Sequence, residues 1–135
     1  MSRLLTIGTF DIPHAGHAAF LRKCEAFADT VMVGVNTDEF VKSYKGVAPE
    51  FTEHERIALI RAMGYQAFLN PGPGHHLIAA LRPDIVAIGT DWARKDYYAQ
   101  IATPLDYFDE HGIAMLYLPY TPGISSSAIR ARLGR

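Results

Sequence analysis

The 135-residue sequence predicts one α/β domain built around a mostly parallel β-sheet. The first observation is size, because 135 residues with 49% hydrophobic and 20% charged residues suit a single compact core. The second is that short runs rich in β-branched residues recur along the chain, as expected of strands buried on both faces. The third is that longer amphipathic segments separate these runs, which is the order of parallel strands joined by helices.

The first predicted unit is a strand, a helix and a second strand. The runs Leu4 to Gly8 and Thr30 to Asn36 are short and apolar, so both are predicted strands. Between them, apolar residues recur at spacings of three and four, which predicts a helix with one buried stripe. The stripe comprises Ala18, Phe20, Leu21, Cys24, Phe27 and Ala28.

The middle of the chain predicts another helix and a third strand. Thr52 and Glu55 have the spacing of a capping box, in which a hydroxyl and a carboxylate satisfy unpaired amides at a helix start. The helix continues through Met63 and ends at Gly64. Tyr65 to Leu69 is then the third strand.

The rest of the chain predicts further strands and helices. Pro71 to Gly74 is a loop, because prolines lack a backbone donor and glycines admit unusual dihedrals. Thr103 is expected to cap a helix that has Pro104 in its first turn and ends at Gly112. The other elements are helices over His76 to Leu81 and Ser125 to Leu133 and strands over Asp84 to Gly89 and Ile113 to Leu118. Together they predict a single Rossmann-like, doubly wound domain over residues 1–135, with about five strands.

Charge and composition exclude several classes of function. Lys and Arg total 13 against 14 Asp and Glu, a net charge of −1, so the positive surplus that nucleic-acid binding needs is missing. Cys24 is the single cysteine, which excludes a disulfide framework and a CxxC metal motif. No apolar run approaches membrane-spanning length, and the first residues do not have the pattern of a signal peptide. We therefore expect a soluble, cytoplasmic protein without nucleic-acid or membrane partners.

The most informative segment is the loop Gly8 to His17, which leaves the first strand and enters the first helix. In such sheets, ligands bind beyond the carboxyl ends of the strands. His14 and His17 are three residues apart, so on a first helical turn they share a face beside the free amides and the positive dipole end. Gly16 lets an anion approach the backbone closely. The pattern suits a triphosphate; a solvated helix start and a metal site, for which no third ligand is nearby, are the alternatives.

The whole string Gly-Thr-Phe-Asp-x-x-His-x-Gly-His over residues 8–17 resembles the signature of the cytidylyltransferase-like nucleotidyltransferases. The resemblance continues in order along nearly the whole chain. It includes Asn36 to Phe40, Lys42 and Lys45, Glu53 to Arg56, Gly89 to Trp92, and Gly123 to Ile129. Length and segment order are most similar to the small glycerol-3-phosphate cytidylyltransferases. Ethanolamine- and choline-phosphate cytidylyltransferases, archaeal FAD synthetase and the heptose-phosphate adenylyltransferase domain share the first motif.

This resemblance implies that a phosphate of a small phosphorylated alcohol attacks the α-phosphate of CTP, so that CMP is transferred and pyrophosphate leaves. It implies catalytic roles for His14, His17 and Lys45, the last on a mobile loop. Nucleotide contacts are expected from Gly8, Thr9, Phe10, Gly16, Asp91, Trp92, Thr121, Gly123, Ile124, Ser125 and Ser126, and weaker acceptor contacts from Asp11, Lys42 and Arg56. Mg²⁺ is expected to accompany the triphosphate without a direct protein ligand set, with Asp11 as one candidate ligand. A homodimer is expected by resemblance alone.

Simpler roles stay open for several of these residues. Lys42 and Lys45 also suit an ordinary solvated loop, and Trp92 suits packing. Ser125 suits plain helix capping, and Asp11 suits turn capping or the orientation of a histidine.

Three features depart from the glycerol-3-phosphate enzymes. Tyr120 stands where those enzymes place an arginine against the nucleotide phosphates, and Gly64 stands where they carry a basic residue. The loop Pro71 to His76 offers no lysine for an acceptor phosphate. The alternative predictions are therefore an adenylyltransferase of the same family, similar to FAD synthetase or to a sugar-phosphate adenylyltransferase, and a nucleotide-binding module without catalysis.

Overall fold

A computed structural model describes residues 1–120, in which a five-stranded sheet carries helices on both faces. The strands are β1 (Arg3–Gly8), β2 (Thr30–Asn36), β3 (Gln66–Asn70), β4 (Ile85–Gly89) and β5 (Ala114–Leu118). The helices are α1 (Ala15–Glu25), α2 (Asp38–Lys45), α3 (Glu53–Ala62), α4 (His75–Leu81), α5 (Tyr97–Gln100) and α6 (Leu105–His111), and a 3₁₀ turn covers Thr90–Trp92. The predicted last helix and the predicted contacts at Thr121, Gly123, Ile124, Ser125 and Ser126 lie outside the described residues.

The order of the strands across the sheet is β3-β2-β1-β4-β5, and every pairing is parallel. The chain winds outward from the central β1 to β2 and β3, then crosses back to build β4 and β5 on the other side. The switch point of this doubly wound order lies between β1 and β4. The predicted Rossmann-like α/β fold is confirmed.

Two hydrophobic cores enclose the sheet, because successive side chains of a strand point to opposite faces. On β1, Leu4 belongs to the core under α1 and α3, and Leu5 belongs to the core under α4, α5 and α6. The helices contribute Phe20, Leu21, Cys24, Ile57 and Ile60 to the first core and Ile78, Tyr97 and Phe108 to the second. With both faces covered, the carboxyl ends of the strands form a fixed edge on which a site can be built.

A helix occupies the segment where a mobile loop around Lys45 is predicted. The Thr37 hydroxyl caps α2 by accepting from the Phe40 amide at 3.2 Å, and Gly46 ends the helix with φ at 82°. Acidic residues in the first turn and lysines in the last turn match the helix dipole. Lys45 therefore extends from the last turn of a helix.

The predicted capping box is confirmed, and the predicted Thr103 cap is wrong. The Glu55 amide donates to the Thr52 hydroxyl at 3.2 Å, and the Thr52 amide donates to the Glu55 carboxylate at 3.0 Å. The Thr103 hydroxyl instead donates to the Ile101 carbonyl at 3.0 Å. The cap position of α6 belongs to Pro104, which supplies no side-chain hydrogen bond.

Two further differences concern short segments. Helix α1 ends at Glu25, before the end of the predicted stripe, so Phe27 is 48% exposed. Helix α5 is absent from the prediction, although Asp96 marks its start by accepting from the Ala99 amide at 3.1 Å.

Within residues 1–120, no helix combines the length and the apolar character needed to cross a bilayer.

Candidate active site

A cavity of about 490 Å³ opens beyond the carboxyl ends of the strands, around the loop between β1 and α1. Of the predicted site residues, those that line it are Gly8, Thr9, Phe10, His14, Gly16, His17, Lys45 and Trp92. Those that the structure describes but does not bring to the lining are Asp11, Lys42, Arg56 and Asp91. The structure therefore gathers into one place eight of the twelve predicted site residues that it describes.

His14 and His17 stack on each other, with ring centroids 3.8 Å apart and planes inclined by 21°. Each ring accepts a backbone amide at Nδ1, from Gly16 at 3.0 Å for His14 and from His14 at 3.2 Å for His17. Because His14 is the N-cap of α1 and His17 is its third residue, the two imidazoles form a reciprocal capping box. This corrects the expectation of free amides, since the imidazoles themselves occupy the amides of His14 and Gly16.

The capping determines which ring nitrogen holds the proton. An Nδ1 atom that accepts an amide hydrogen carries no proton of its own, so each neutral ring is protonated at Nε2. Burial lowers the pKa of His14. Burial and the charge of His14 lower the pKa of His17 to about 4, against an opposing effect of Asp11. At neutral pH, the pair therefore offers two Nε2–H donors that suit an oxyanion.

The loop that carries these histidines has an unusual backbone. Phe10 and Ile12 have φ values of 53° and 50°, in the left-handed region that non-glycine residues rarely adopt, at a cost of about 1–3 kcal/mol each. Both side chains are buried, and the Phe10 ring meets His17 edge-on at 5.2 Å. Packing therefore holds a strained loop in the shape that presents the histidines.

Arg56 holds the same loop from inside the protein. Its fully buried guanidinium donates to the carbonyls of Thr9 and Asn36, each at 2.7 Å. It also donates to the Phe51 carbonyl at 3.0 Å and to the Asp38 carboxylate at 2.7 Å. This corrects the predicted acceptor contact: Arg56 ties the β1–α1 loop, the end of β2 and the start of α2 together.

Asp11 directs its carboxylate to the chain before α3. It is 8% exposed and accepts from the Glu50 amide at 3.1 Å and from the Phe51 amide at 3.2 Å. These contacts favour the turn-capping alternative for Asp11. In the described part of the chain, no group of three or more His, Cys, Asp or Glu side chains is arranged to hold a metal ion.

Helix α2 brings a cation and a hydroxyl to the β2 side of the cavity. Lys45 lines the cavity, with its Nζ 6.0 Å from the Tyr44 ring centroid. The hydroxyls of Tyr44 and Thr9 lie 3.3 Å apart, which joins α2 to the β1–α1 loop. Lys42 is exposed on the same helix and does not line the cavity. Of the two predicted lysines, the structure brings Lys45 to the site.

Aromatic side chains line the β4 side. Trp92 both lines the cavity and packs against Tyr97, with centroids 5.1 Å apart. Tyr120 packs against Phe20 at 5.2 Å and lies over Gly89, where a Cβ would collide with the tyrosine ring. Burial raises the pKa of Tyr120 to about 12, so the phenol is neutral at neutral pH. An uncharged ring therefore lies at the position where the resemblance to the glycerol-3-phosphate enzymes predicts an arginine.

The sequence-based site lacks several residues that line the cavity, and three of them, Asn36, Tyr44 and Tyr97, bring polar groups to it. Asn36 is the last residue of a predicted strand, at the end where ligands bind, so its position is a usable signal. Tyr44 and Tyr97 lie on the two helices that the prediction lacks, and their place in the site follows only once those helices are known.

The sheet is doubly wound, and a histidine pair suited to binding an anion lies where β1 leads into α1. These two features place the chain in the class of α/β nucleotidyltransferase domains. The chain belongs to the cytidylyltransferase-like family, whose family model matches residues 5–132. The members of this family are nucleotidyltransferases.

Curated relatives and a solved structure share this domain. The bifunctional protein HldE of Helicobacter pylori strain Shi470 is 32% identical over 136 residues, which cover 98% of this chain and 27% of that protein. HldE of a Nitratiruptor species is 34% identical over 97 residues, 69% of this chain and 21% of that protein. The lipopolysaccharide core biosynthesis protein of Thermoplasma volcanium GSS1 matches with a TM-score of 0.71 and 28% identity over 90% of this chain and 99% of that one. The chain thus corresponds to a small part of the HldE proteins.

Proposed function

We propose that this domain transfers a nucleoside monophosphate from a nucleoside triphosphate to the phosphate of a small acceptor, with release of pyrophosphate. The observation that carries the proposal is the stacked pair of His14 and His17, whose capping contacts leave both Nε2–H groups as donors at the cavity. Membership in a nucleotidyltransferase family supports the same reaction.

In this reaction, an oxygen of the acceptor phosphate forms a bond to the α-phosphorus of the triphosphate. The bond from that phosphorus to the oxygen that bridges it to the β-phosphate breaks, and its electron pair leaves with pyrophosphate. The attacking oxygen is already an anion, so the step needs no general base. It needs the two anions held in line and the charge that develops on the leaving oxygen stabilised.

The described residues supply these two requirements. The Nε2–H groups of His14 and His17 donate to the phosphate oxygens at the reacting centre, where preorganised donors are most effective. Lys45 extends a compact charge on a long stem from the end of α2 and offsets the repulsion between the two substrates. The strained loop and Arg56 keep the histidines in place between reaction cycles.

The identity of the two substrates is the finer part of the proposal. Chain length and segment order favour CTP and a polyol phosphate similar to glycerol 3-phosphate. ATP and a sugar phosphate are favoured by the first motif, which resembles that of the heptose-phosphate adenylyltransferase domain. A sugar phosphate is also favoured by the solved relative, which is named for the biosynthesis of a lipopolysaccharide core, a structure built from sugars. Two pairs therefore form the proposal: CTP with a polyol phosphate, and ATP with a sugar phosphate.

Mg²⁺ enters this proposal with the substrate. The described lining of the cavity contains no Asp or Glu side chain, so the residues present suit a metal that arrives on the triphosphate.

A homodimer and a cytoplasmic location are further predictions, and sedimentation of the purified chain tests the first of them.

A mass-spectrometric screen tests the proposed reaction. Purified protein is incubated with Mg²⁺, CTP or ATP, and a panel of polyol and sugar phosphates, and new CDP- or ADP-linked products are sought together with pyrophosphate. A product identifies both substrates. If no pair releases pyrophosphate, the proposal fails, and calorimetric binding of CTP or ATP would then support the module without catalysis that the Tyr120 and Gly64 departures suggest.

A further inference from the structure

We propose that Asn36 binds the phosphorylated acceptor by donating from its side-chain nitrogen to an acceptor oxygen, and that Asn70 is the positioning residue that aims this donor. The inference rests on the proposed function and deepens it, because it assigns the β2 side of the cavity to the acceptor. It follows from the hydrogen bonds that determine the orientation of the two amides.

The orientation of the Asn70 amide is determined by a backbone carbonyl. Its Nδ2 lies 2.7 Å from the Gly72 carbonyl oxygen, which can only accept, so the nitrogen must face that way. The same Nδ2 lies 2.8 Å from Oδ1 of Asn36 and donates to it. A reversed Asn36 would place two NH₂ groups against each other. Asn36 therefore turns its oxygen toward Asn70 and its nitrogen away.

The backbone around Asn36 is held just as firmly. Its carbonyl accepts from the Arg56 guanidinium at 2.7 Å, and the next amide, of Thr37, donates to the Asn70 carbonyl at 3.1 Å. Asn36 and Asn70 are also register partners at the ends of β2 and β3. The side chain of Asn36 thus has little freedom to change the direction of its donor.

The nitrogen of Asn36 is a confined donor at the cavity. The residue is 7% exposed and lines the cavity, and within residues 1–120 its Nδ2 has no hydrogen-bond partner. An unpaired donor in a largely buried side chain is energetically unfavourable. The hydrogen-bonding capacity of this nitrogen is therefore satisfied only when water or a ligand oxygen in the cavity accepts from it. The chemistry required of the ligand is an oxygen acceptor.

The position of Asn36 favours the acceptor over the nucleotide. The histidine pair lies in the loop after the central strand β1, so the cavity extends from it toward β2 on one side and toward β4 on the other. Flat aromatic faces at Trp92 and Tyr97 line the β4 side and suit a nucleobase. Asn36 shares the β2 side with Lys45 and the Tyr44 hydroxyl, a set that suits a hydroxylated phosphate.

Side-chain amide resonances test this assignment without relying on turnover. The whole sequence contains two asparagines, Asn36 and Asn70, and two glutamines, Gln66 and Gln100. Their NH₂ signals in a ¹⁵N–¹H spectrum are therefore few and can be assigned from the variants Asn36→Asp, Gln66→Glu and Gln100→Glu. Gln100 lines the cavity from the last residue of α5, and Gln66 lies outside the lining, so Gln66 serves as the reference signal.

Glycerol 3-phosphate and a heptose 1-phosphate are the probes, each added at millimolar concentration with and without CTP or ATP. We expect at least one phosphate to shift the Asn36 signal while Gln66 stays in place, and the nucleotide alone to shift Gln100 more than Asn36. An Asn36 signal that neither phosphate moves overturns the inference. The inference is also overturned if the nucleotide alone shifts the Asn36 signal as far as the phosphate does.

Variants test the two roles separately in any reaction found by the substrate screen. Asn36→Ala is expected to raise the acceptor KM about tenfold and to leave the nucleotide KM unchanged, because one hydrogen bond to a charged or polar oxygen is lost. In Asn70→Asp, the new carboxylate accepts from Asn36, which then rotates and presents its oxygen to the cavity. The acceptor KM should rise similarly, although Asn70 itself does not line the cavity.

The outcomes are distinguishable from those of the proposed function. Wild-type pyrophosphate release tests the reaction, and the Asn36 signal tests the assignment. If Asn70→Asp lowers the unfolding temperature but leaves the acceptor KM unchanged, Asn70 is structural only and its positioning role is wrong. If both variants fold and bind the acceptor as the wild type does, the whole inference is wrong.

Discussion

Arg56 and Asp38 form the one ion pair found within residues 1–120, but the burial of the two partners differs: the arginine side chain is fully buried, and the aspartate keeps 35% of its side chain exposed. Three backbone carbonyls share the guanidinium with Asp38. The arginine therefore contributes mainly by satisfying buried carbonyl oxygens, and the partly exposed aspartate neutralises the buried charge.

Arg56→Met should lower the free energy of unfolding by about 3 kcal/mol, because the Thr9, Asn36 and Phe51 carbonyls lose their donor. Asp38→Asn should lower it by about 1 kcal/mol, since a partly exposed partner is more easily replaced by water. Urea titrations of both variants measure these values. Equal losses would mean that the ion pair, and not the carbonyl contacts, is the stabilising element.

His14→Asn should separate capping from catalysis. Asparagine is a favoured N-cap residue, so its side chain can accept the Gly16 amide in place of Nδ1, but it has no Nε2–H donor at the reacting phosphate. We expect pyrophosphate release to fall about 10³-fold, the scale of losing one preorganised oxyanion donor. The unfolding temperature should change little.

The control for this variant is His111→Gln, an exposed histidine at the end of α6 that lies outside the cavity lining. Its turnover should match the wild type. If His14→Asn also turns over normally, His14 is a capping residue only.

The stability of the fold should depend on pH through His17. The pKa of this ring falls from 6.5 to about 4 in the folded chain, mainly through burial, so the folded state binds fewer protons than the unfolded state between these values. Stability is therefore fully present above pH 6.5 and declines as the pH falls toward 4. The loss should be about 2 kcal/mol, since each pKa unit is worth about 1.4 kcal/mol and the ring keeps some solvent contact.

Chemical denaturation at pH values from 7 to 4 checks this slope, with His17→Gln as the comparison. Glutamine at this position preserves a side-chain acceptor for the His14 amide but does not titrate. The variant should retain only the smaller dependence that comes from His14 and the carboxylates. An unchanged slope in the variant would contradict the assignment to His17.

Lys45→Met and Lys42→Met form a matched pair on one helix. Lys45 lines the cavity and Lys42 does not, and both lie in the last turns of α2. Lys45→Met should reduce kcat/KM about 10²-fold through lost charge stabilisation, whereas Lys42→Met should stay within about twofold of the wild type. A similar effect from both substitutions would point to the general charge of α2 instead of a contact made by Lys45.

The strands could be predicted from sequence because their chemistry is local. Runs such as Thr30 to Asn36 are apolar and β-branched whichever residues they pair with, and the structure places β2 on these residues. Helix α2 has equally local signals, a Thr37 cap, acids in its first turn and Gly46 at its end. The helix has only eight residues, most of them polar, and Val41 is its one buried residue, so it has no long apolar stripe, and the prediction of a loop there is wrong for that reason.

The site was only partly predictable for the opposite reason, because its most important contacts are distant in sequence. The spacing of His14 and His17 indicates a shared face, but their use of Nδ1 as caps depends on the left-handed turns at Phe10 and Ile12. Nothing local identifies those turns, since neither residue is glycine. The role of Arg56 depends on carbonyls at Thr9 and Asn36, which only the folded chain brings to it.

The central place of β1 has a consequence for the order of folding. Its first residues pair with β4, and the Arg3 amide donates to Asp84, 81 positions further along the chain. Contacts of such long range form slowly, because the entropy of closing a large loop is lost before any pairing compensates for it. The cavity edge beyond β1 therefore closes only after most of the chain has left the ribosome, and a nascent chain that stops short of residue 85 holds the histidine loop without its β4 neighbour.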